Sequence, residues 1–305
     1  MEKVLVTGIA EGLGRLVGRQ LHERSTVIGV DGVRWRHSPP GMKTHTVDLR
    51  KRKFEDIVRT ERPDVVVHLG FIRHFRGDEQ ERHAVNVSGT RTLIDHCVKY
   101  EVQRLVVLSS GYVYGAFPEN PYELDEDAPL SASRTYPEIR DLVEVDSLAS
   151  GTIWRHPELR TSVLRPVNVL GPTVQSMVRS YLSQPRVPTV LGFDPMMQFI
   201  HEVDMATAVV LAVEHELNGV FNVVGPGEVP VHTAIRETGG RAWPIPDPPA
   251  RWLFGRMYRL GLLPYPAGLL DFLKYPVSLS GTRFAGATGF RCKYGLPEIF
   301  ESVRR

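Results

Sequence analysis

Lysine is scarce in this chain, with seven against 30 arginines, and none lies between Lys99 and Lys274. Any chemistry seated in that stretch must do without an ammonium group. Cysteine is almost absent. Cys97 and Cys292 lie far apart, which excludes a disulfide framework and indicates a reducing compartment. The 11 histidines show no ligand spacing such as His-x-x-x-His, so no metal site is expected. No uninterrupted apolar run reaches about 18 residues, the length a membrane span needs. Only Met1 and Glu2 precede the first apolar run, so no signal peptide is expected and the reading is cytoplasmic. A net charge of +2 gives no broad field for nucleic acid, and Lys51-Arg52-Lys53 reads as a solvated helix start. What remains is 305 residues with 42% hydrophobic and 24% charged content, enough core for one integrated α/β unit and a smaller appended part.

Lys3-Val4-Leu5-Val6 suits a buried parallel strand and leads directly into Thr7-Gly8-Ile9-Ala10-Glu11-Gly12-Leu13-Gly14. Leu13, Leu16, Val17 and Leu21 then recur at helical spacing. The turn therefore opens onto a helix N-terminus whose free N–H groups and dipole suit a pyrophosphate. Glycine is needed there because a side chain would block the approach of backbone to phosphate. The spacing Gly-x3-Gly-x-Gly differs from the Gly-x-Gly-x-x-Gly of most dinucleotide folds. A second strand, Ser25 to Val30, ends at Asp31, placed to take the adenosine ribose hydroxyls. This favours NAD over NADP, with Arg34 and Arg36 read as solvated loop charge. A third short strand ends in Thr46-Val47-Asp48-Leu49, and Asp64 to Gly70 supplies a fourth. Such strands separated by helix-length segments predict an α/β fold with a doubly wound, Rossmann-like parallel sheet. Residues 1–165 would form the NAD-binding part. Residues 166–305 would form a smaller substrate and lid part, with some elements returning to the sheet.

Asn86-Val87-Ser88-Gly89-Thr90 opens a helix, and the run from Val102 continues through Leu108-Ser109-Ser110-Gly111-Tyr112-Val113-Tyr114-Gly115 from strand into loop. Three further blocks follow in order: Leu164-Arg165-Pro166-Val167-Asn168-Val169-Leu170-Gly171-Pro172, Phe199-Ile200-His201-Glu202-Val203-Asp204 and Gly219-Val220-Phe221-Asn222-Val223-Val224-Gly225. With them the chain resembles, over roughly its whole length, the extended short-chain dehydrogenase/reductase family of the nucleotide-sugar epimerase/dehydratase type. The resemblance implies NAD held by Gly8, Gly12, Leu13, Gly14 and Asp31, with Asp48, Leu49, Leu69 and Gly70 beside it. It also implies a homodimer through the segments near 81–100 and 136–150, where Val85, Leu93, Ile139, Leu142 and Val143 offer apolar positions.

For catalysis the resemblance implies a serine at the end of the fifth strand, matched by Ser110, a tyrosine acid/base and a lysine four residues on. A phenol with a reference pKa near 10 needs a nearby cation to take a proton at neutral pH. Two registers are open. The motif places Tyr136 and Arg140 in those positions, with a guanidinium whose planar fork is no equivalent of an ammonium. The pattern of the helix Arg140-Asp141-Leu142-Val143-Glu144-Val145-Asp146 instead places Glu138 and Leu142 there, and both groups are lost.

In the nucleotide-sugar members an asparagine of the Leu-Arg-Pro block and an arginine before the Phe-Ile-His block hold the ligand. Asn168 matches the first, while Met196 and Met197 stand where the arginine would be, leaving a diphosphate poorly served. Tyr112, Asn168 and Met197 are expected to line a substrate pocket, although paired methionines are more often adaptable core filler. His201, Glu202 and Asp204 are expected to cap and orient the following helix. Trp243 and the four prolines up to Pro249 read as an irregular connection, and residues 251–263 as an apolar helix with interspersed arginines. That helix is read as a lid with its arginines reaching water, in preference to a membrane-surface helix. A lid of this kind suits a hydrophobic or acyl ligand. Two function classes follow: an NAD-binding protein whose proton relay is disabled, acting as a cofactor-responsive regulator or partner-binding protein, and an active NAD-dependent oxidoreductase or epimerase using Tyr136 with Arg140, or a tyrosine of the Tyr112/Tyr114 loop. The missing lysine favours the first.

Overall fold

The computed structural model describes residues 2–72, 78–247, 249–260 and 266–304. Its strands are β1 (Lys3–Thr7), β2 (Thr26–Asp31), β3 (Lys43–Thr46), β4 (Val65–His68), β5 (Arg104–Leu108), β6 (Arg160–Pro166), β7 (Asn168–Leu170), β8 (Arg186–Val190), β9 (Met196–His201), β10 (Gly219–Val223), β11 (Glu228–Pro230) and β12 (Arg241–Ile245). The helices used below are α1 (Gly12–His22), α2 (Arg52–Glu61), α3 (Glu79–His83), α4 (Gly89–Lys99), α5 (Arg140–Arg155), α6 (Met177–Leu182), α7 (Glu202–Glu214), α8 (Val231–Glu237), α9 (Pro249–Arg259) and α10 (Leu269–Phe272).

The near-continuous valine and leucine of β1, β4 and β5 reflect burial on both faces, which a parallel sheet covered by helices on each side requires. These strands form a sheet of order β3-β2-β1-β4-β5-β6-β10, and every neighbouring pair in it is parallel. Alternation along each strand sorts the core into two layers. Val4 and Val6 face α1 and α7 through Val17, Leu21, Met205 and Val209. Leu5 faces α2, α4 and α5 through Phe54, Leu93, Val145 and Ala149. The order reverses between β1 and β4, so a crevice opens above their C-terminal ends, the place where open α/β sheets bind ligands.

The C-terminal part is not self-contained. β10 completes the main sheet and α7 packs on its face, while β7, β9 and β11 form a small mixed sheet beside it. The third strand ends at Thr46, earlier than the sequence pattern suggests, so Asp48 and Leu49 lie in the turn beyond it. Trp243 and Pro244, expected in an irregular connection, lie in β12, which pairs in parallel with β8. A two-stranded sheet has only edges, where a proline without an N–H is tolerated. The predicted helix at 251–263 is α9 as far as Arg259; Pro248 and residues 261–265 fall outside the described residues. Leu93 and Ile139 are buried within the chain's own core and are not available to a partner.

Candidate active site

At the cofactor end, backbone packing sets the geometry. Gly8 has φ +70°, and a Cβ there would stand 2.6–2.8 Å from the backbone of Leu69 and Gly70. A Cβ on Gly14 would lie 2.0 Å from the Gly8 carbonyl oxygen. The turn can therefore fold on itself and on the end of β4 only without side chains at both positions. Leu69 is buried beneath it, and the Gly70 N–H donates to Thr7 Oγ1 at 3.3 Å. Glu11 precedes α1 without capping it through its side chain, which leaves the first-turn N–H groups, Leu13 among them, for an anion. Asp31 ends β2 with its carboxylate fixed, Oδ2 accepting from Ala10 N at 2.8 Å and Oδ1 from Val33 N at 3.0 Å. It ties the turn to the strand and leaves lone pairs for hydroxyl donors. Asp48 accepts from the backbone and guanidinium of Arg50, which holds its carboxyl below the usual range, and Arg50 reaches on to Glu81. An uncapped helix start, a turn with glycine at its points of close approach and a fixed carboxylate fit a dinucleotide.

The end of β5 carries Ser110, whose Oγ accepts from Tyr112 N at 3.2 Å, so its hydroxyl caps the following 3-10 turn. Tyr112 OH donates to Asn168 Oδ1 at 2.7 Å, and Asn168 Nδ2 donates to the carbonyl of Gln198 at 2.9 Å. Burial pushes the Tyr112 phenol up. Tyr114 is committed elsewhere. It donates to Asn222 and accepts from Arg165, which also makes a two-point ion pair with the fully buried Asp146, and Asp146 accepts from Ser109 as well. Sequence reading missed this buried array. Its trace was an aspartate in the apolar phase of α5, a position that a polar residue occupies only with its partners supplied.

That array fixes the rotation of α5. Val145, Asp146 and Ala149 face inward, and Leu142, one turn before Asp146, packs against the cores on either side of the crevice. Arg140 lies on the exposed face, while Glu138 is half-buried one turn before Leu142. Tyr136 is fully buried before the helix, packed with Ala132, Ile139 and Phe272 and backed by Gly268, where a Cβ would meet its ring at 2.5 and 2.8 Å. Burial raises its phenol well above the usual range, and the groups that bear on it most strongly are Glu138, Tyr112, Tyr258 and Arg82. Arg140 is not one of these. The structure brings Tyr136 to Tyr112 through Phe272, whose ring stands 6.1 and 4.7 Å from theirs. Arg82 instead joins His83 in holding the Asp141 carboxylate.

A cavity of about 40 Å³ lies beyond the ends of β5 and β6, lined by Gly111, Tyr112, Asn168, Met196, Met197, Phe272 and Leu279 among others. Ordered water needs at least roughly 10–15 Å³ each, so about three would fill it. Leu279 closes one side, held by paired hydrogen bonds to the buried Gln198 amide at 2.8 and 3.1 Å. A Cβ on Gly111 would meet its side chain at 2.6 Å. Met197 serves both the cavity wall and the core behind it. His201 caps α7 through Val203 N, as expected. Asp204 instead receives the N–H groups of Lys293 and Tyr294, and Glu202 receives those of Thr173 and Val174, so two of the three residues expected to cap α7 tie distant segments together.

A doubly wound sheet with a glycine turn at its switch point and an acidic end to the second strand defines a dinucleotide-binding α/β protein. The chain belongs to the NAD dependent epimerase/dehydratase family, whose sequence model matches residues 4–224. An uncharacterized protein of Mycobacterium tuberculosis is 26% identical over 319 residues, covering 99% of this chain and 83% of that one. A dTDP-4-keto-6-deoxy-D-glucose reductase of Streptomyces niveus is 27% identical over 264 residues, covering 81% and 83%. Among solved structures, the UDP-glucose 4-epimerase of Thermus thermophilus in complex with NAD aligns with a TM-score of 0.77 at 22% identity, covering 99% of this chain and 97% of that one. The dTDP-glucose 4,6-dehydratase DesIV of Streptomyces venezuelae, with NAD and TYD bound, also gives 0.77, at 18% identity over 99% and 95%.

Proposed function

We propose that this chain is an NAD(H)-binding member of the family in which the usual tyrosine-lysine relay is not assembled, and that its pocket takes a small, uncharged, largely apolar ligand. NAD is favoured over NADP because the carboxylate of Asp31, at the end of β2, would repel a 2′-phosphate. The observation that carries the reading is the rotation of α5. It turns Leu142 inward and Arg140 to solvent, so the arginine that follows Tyr136 at the motif spacing points away from it. The apolar ligand is supported by the cavity lining, which contains methionine, phenylalanine and leucine and no charged side chain among the described residues. A cofactor-responsive binding role accords with both features.

Tyr112 favours a second reading, an active oxidoreductase, because it lines the pocket and its hydroxyl, now donated to Asn168, could give a proton to a ligand oxygen. The burial that raises its pKa opposes that transfer, since the phenolate left behind would have no cation beside it in the cavity lining. Calorimetric titration should show NADH binding more tightly than NADPH, with no turnover of sugar nucleotides, simple alcohols or ketones. Rapid ketone reduction abolished by Tyr112→Phe or Tyr136→Phe would replace the first reading with the second.

A further inference from the structure

We propose that Glu202 is a positioning residue for the dinucleotide: its carboxylate holds the Thr173–Val174 turn against the start of α1, forming a fixed wall of the phosphate crevice. The inference rests on the cofactor reading above. Glu202 is 2% exposed, although it stands at the first position of a helix, where acidic side chains usually face water. Its oxygens accept from Thr173 N at 2.9 and 3.2 Å, Thr173 Oγ1 at 3.0 Å and Val174 N at 2.7 Å. A buried carboxylate is tolerated when donors of this number surround it, and here all of them come from one short turn.

Two glycines show that the arrangement is built for close contact. A Cβ on Gly171 would fall 2.2–2.4 Å from the Glu202 side chain, so glycine there makes room for the carboxylate. A Cβ on Gly12 would fall 2.7 Å from the Thr173 carbonyl oxygen, so the turn held by Glu202 abuts the glycine at the N-terminus of α1. Glu202 itself is too far into the fold to bind the cofactor. It fixes the backbone opposite the N–H groups that would receive a pyrophosphate, and releasing that turn widens the crevice at the phosphates and leaves the adenosine end at Asp31 untouched.

The test compares NADH, ADP-ribose and phosphate-free adenosine on the wild type, Glu202→Gln and Gly171→Ala, by calorimetry and stopped-flow fluorescence. In Glu202→Gln an amide NH₂ replaces one acceptor and opposes the donors of the turn. The expected result is about tenfold weaker NADH and ADP-ribose binding, with faster NADH dissociation and adenosine affinity within about twofold of wild type. Gly171→Ala displaces the carboxylate and should give the same pattern, and combining the two should add little to either alone. Equal losses for all three ligands, or additive effects of the two substitutions, would mark Glu202 as a general stabiliser and overturn the proposal. So would unchanged NADH binding in both variants. A wild type that binds none of the three ligands would overturn the cofactor reading itself, and the proposal with it.

Discussion

At the cofactor end of the crevice the shape comes from backbone. Gly8 and Gly14 are fixed by what a Cβ would strike, and Asp31 fastens the turn through two main-chain N–H groups. At the reaction end the shape comes from side chains, with Leu142, Tyr136, Phe272 and Tyr112 packed against one another and a cavity of about 40 Å³ left over. On the function proposed above, a family scaffold keeps one function at the first end while the other drifts at the second. A glycine turn tolerates almost no substitution, because any side chain collides with backbone. A proton relay disappears with one or two exchanges that still pack well, such as leucine at an inward helix position.

The largest test of this contrast is at the turn. Gly12→Trp should weaken NADH binding by roughly 100-fold or more, about 2.8 kcal/mol, because even its Cβ would stand 2.7 Å from the Thr173 carbonyl oxygen and force the two segments apart. Calorimetry checks it, and binding within a few-fold of wild type would mean the cofactor does not use this turn.

At the other end the proposed loss of the relay is tested by rebuilding it. Glu138→Tyr combined with Leu142→Lys places a phenol in the 3-10 turn before α5 and an ammonium in the first turn of α5, both at half-buried positions. Arg140→Lys changes only an exposed side chain. Single-turnover assays with NADH and small aromatic ketones should show hydride transfer in the double variant. A gain of roughly 10²–10⁴-fold is the usual reach of acid-base catalysis. Arg140→Lys should leave the baseline unchanged, and a clear gain from that substitution alone would restore Tyr136 and residue 140 as the working pair.

The smallest effect concerns Tyr112. Burial raises its pKa in the folded chain above the reference value near 10. The neutral phenol therefore contributes its full stability below pH about 10, and loses it as pH rises past that value because the unfolded chain ionises first. Tyr112→Phe should cost about 1 kcal/mol at pH 7, through the lost hydrogen bond to Asn168, and should flatten the alkaline decline of stability. Denaturant melts between pH 7 and 11 decide it, and a variant with an undiminished alkaline slope would place the titrating group elsewhere.

The first strands, the glycine turn and the acidic end of β2 could be read directly from residues, because each depends on local pattern: short continuous apolar runs, glycine where backbone must approach, an acid at a strand end. Local pattern also suggested that something was missing between Lys99 and Lys274. It could not choose between Tyr136 with Arg140 and Glu138 with Leu142. That choice depends on the rotation of α5, which a contact far away in sequence sets: Asp146 is drawn inward by Arg165 on β6. The same limit hid Glu202, whose spacing suggested a helix cap and whose partners lie 28 and 29 residues upstream. It hid one wall of the pocket as well, since Phe272 meets Tyr112 only after the chain has crossed the small sheets and returned. Sequence alone determined which residues could be buried, bent or charged; tertiary structure decided which of them face one another, because long-range pairing and helix rotation are settled by contacts that no local pattern contains.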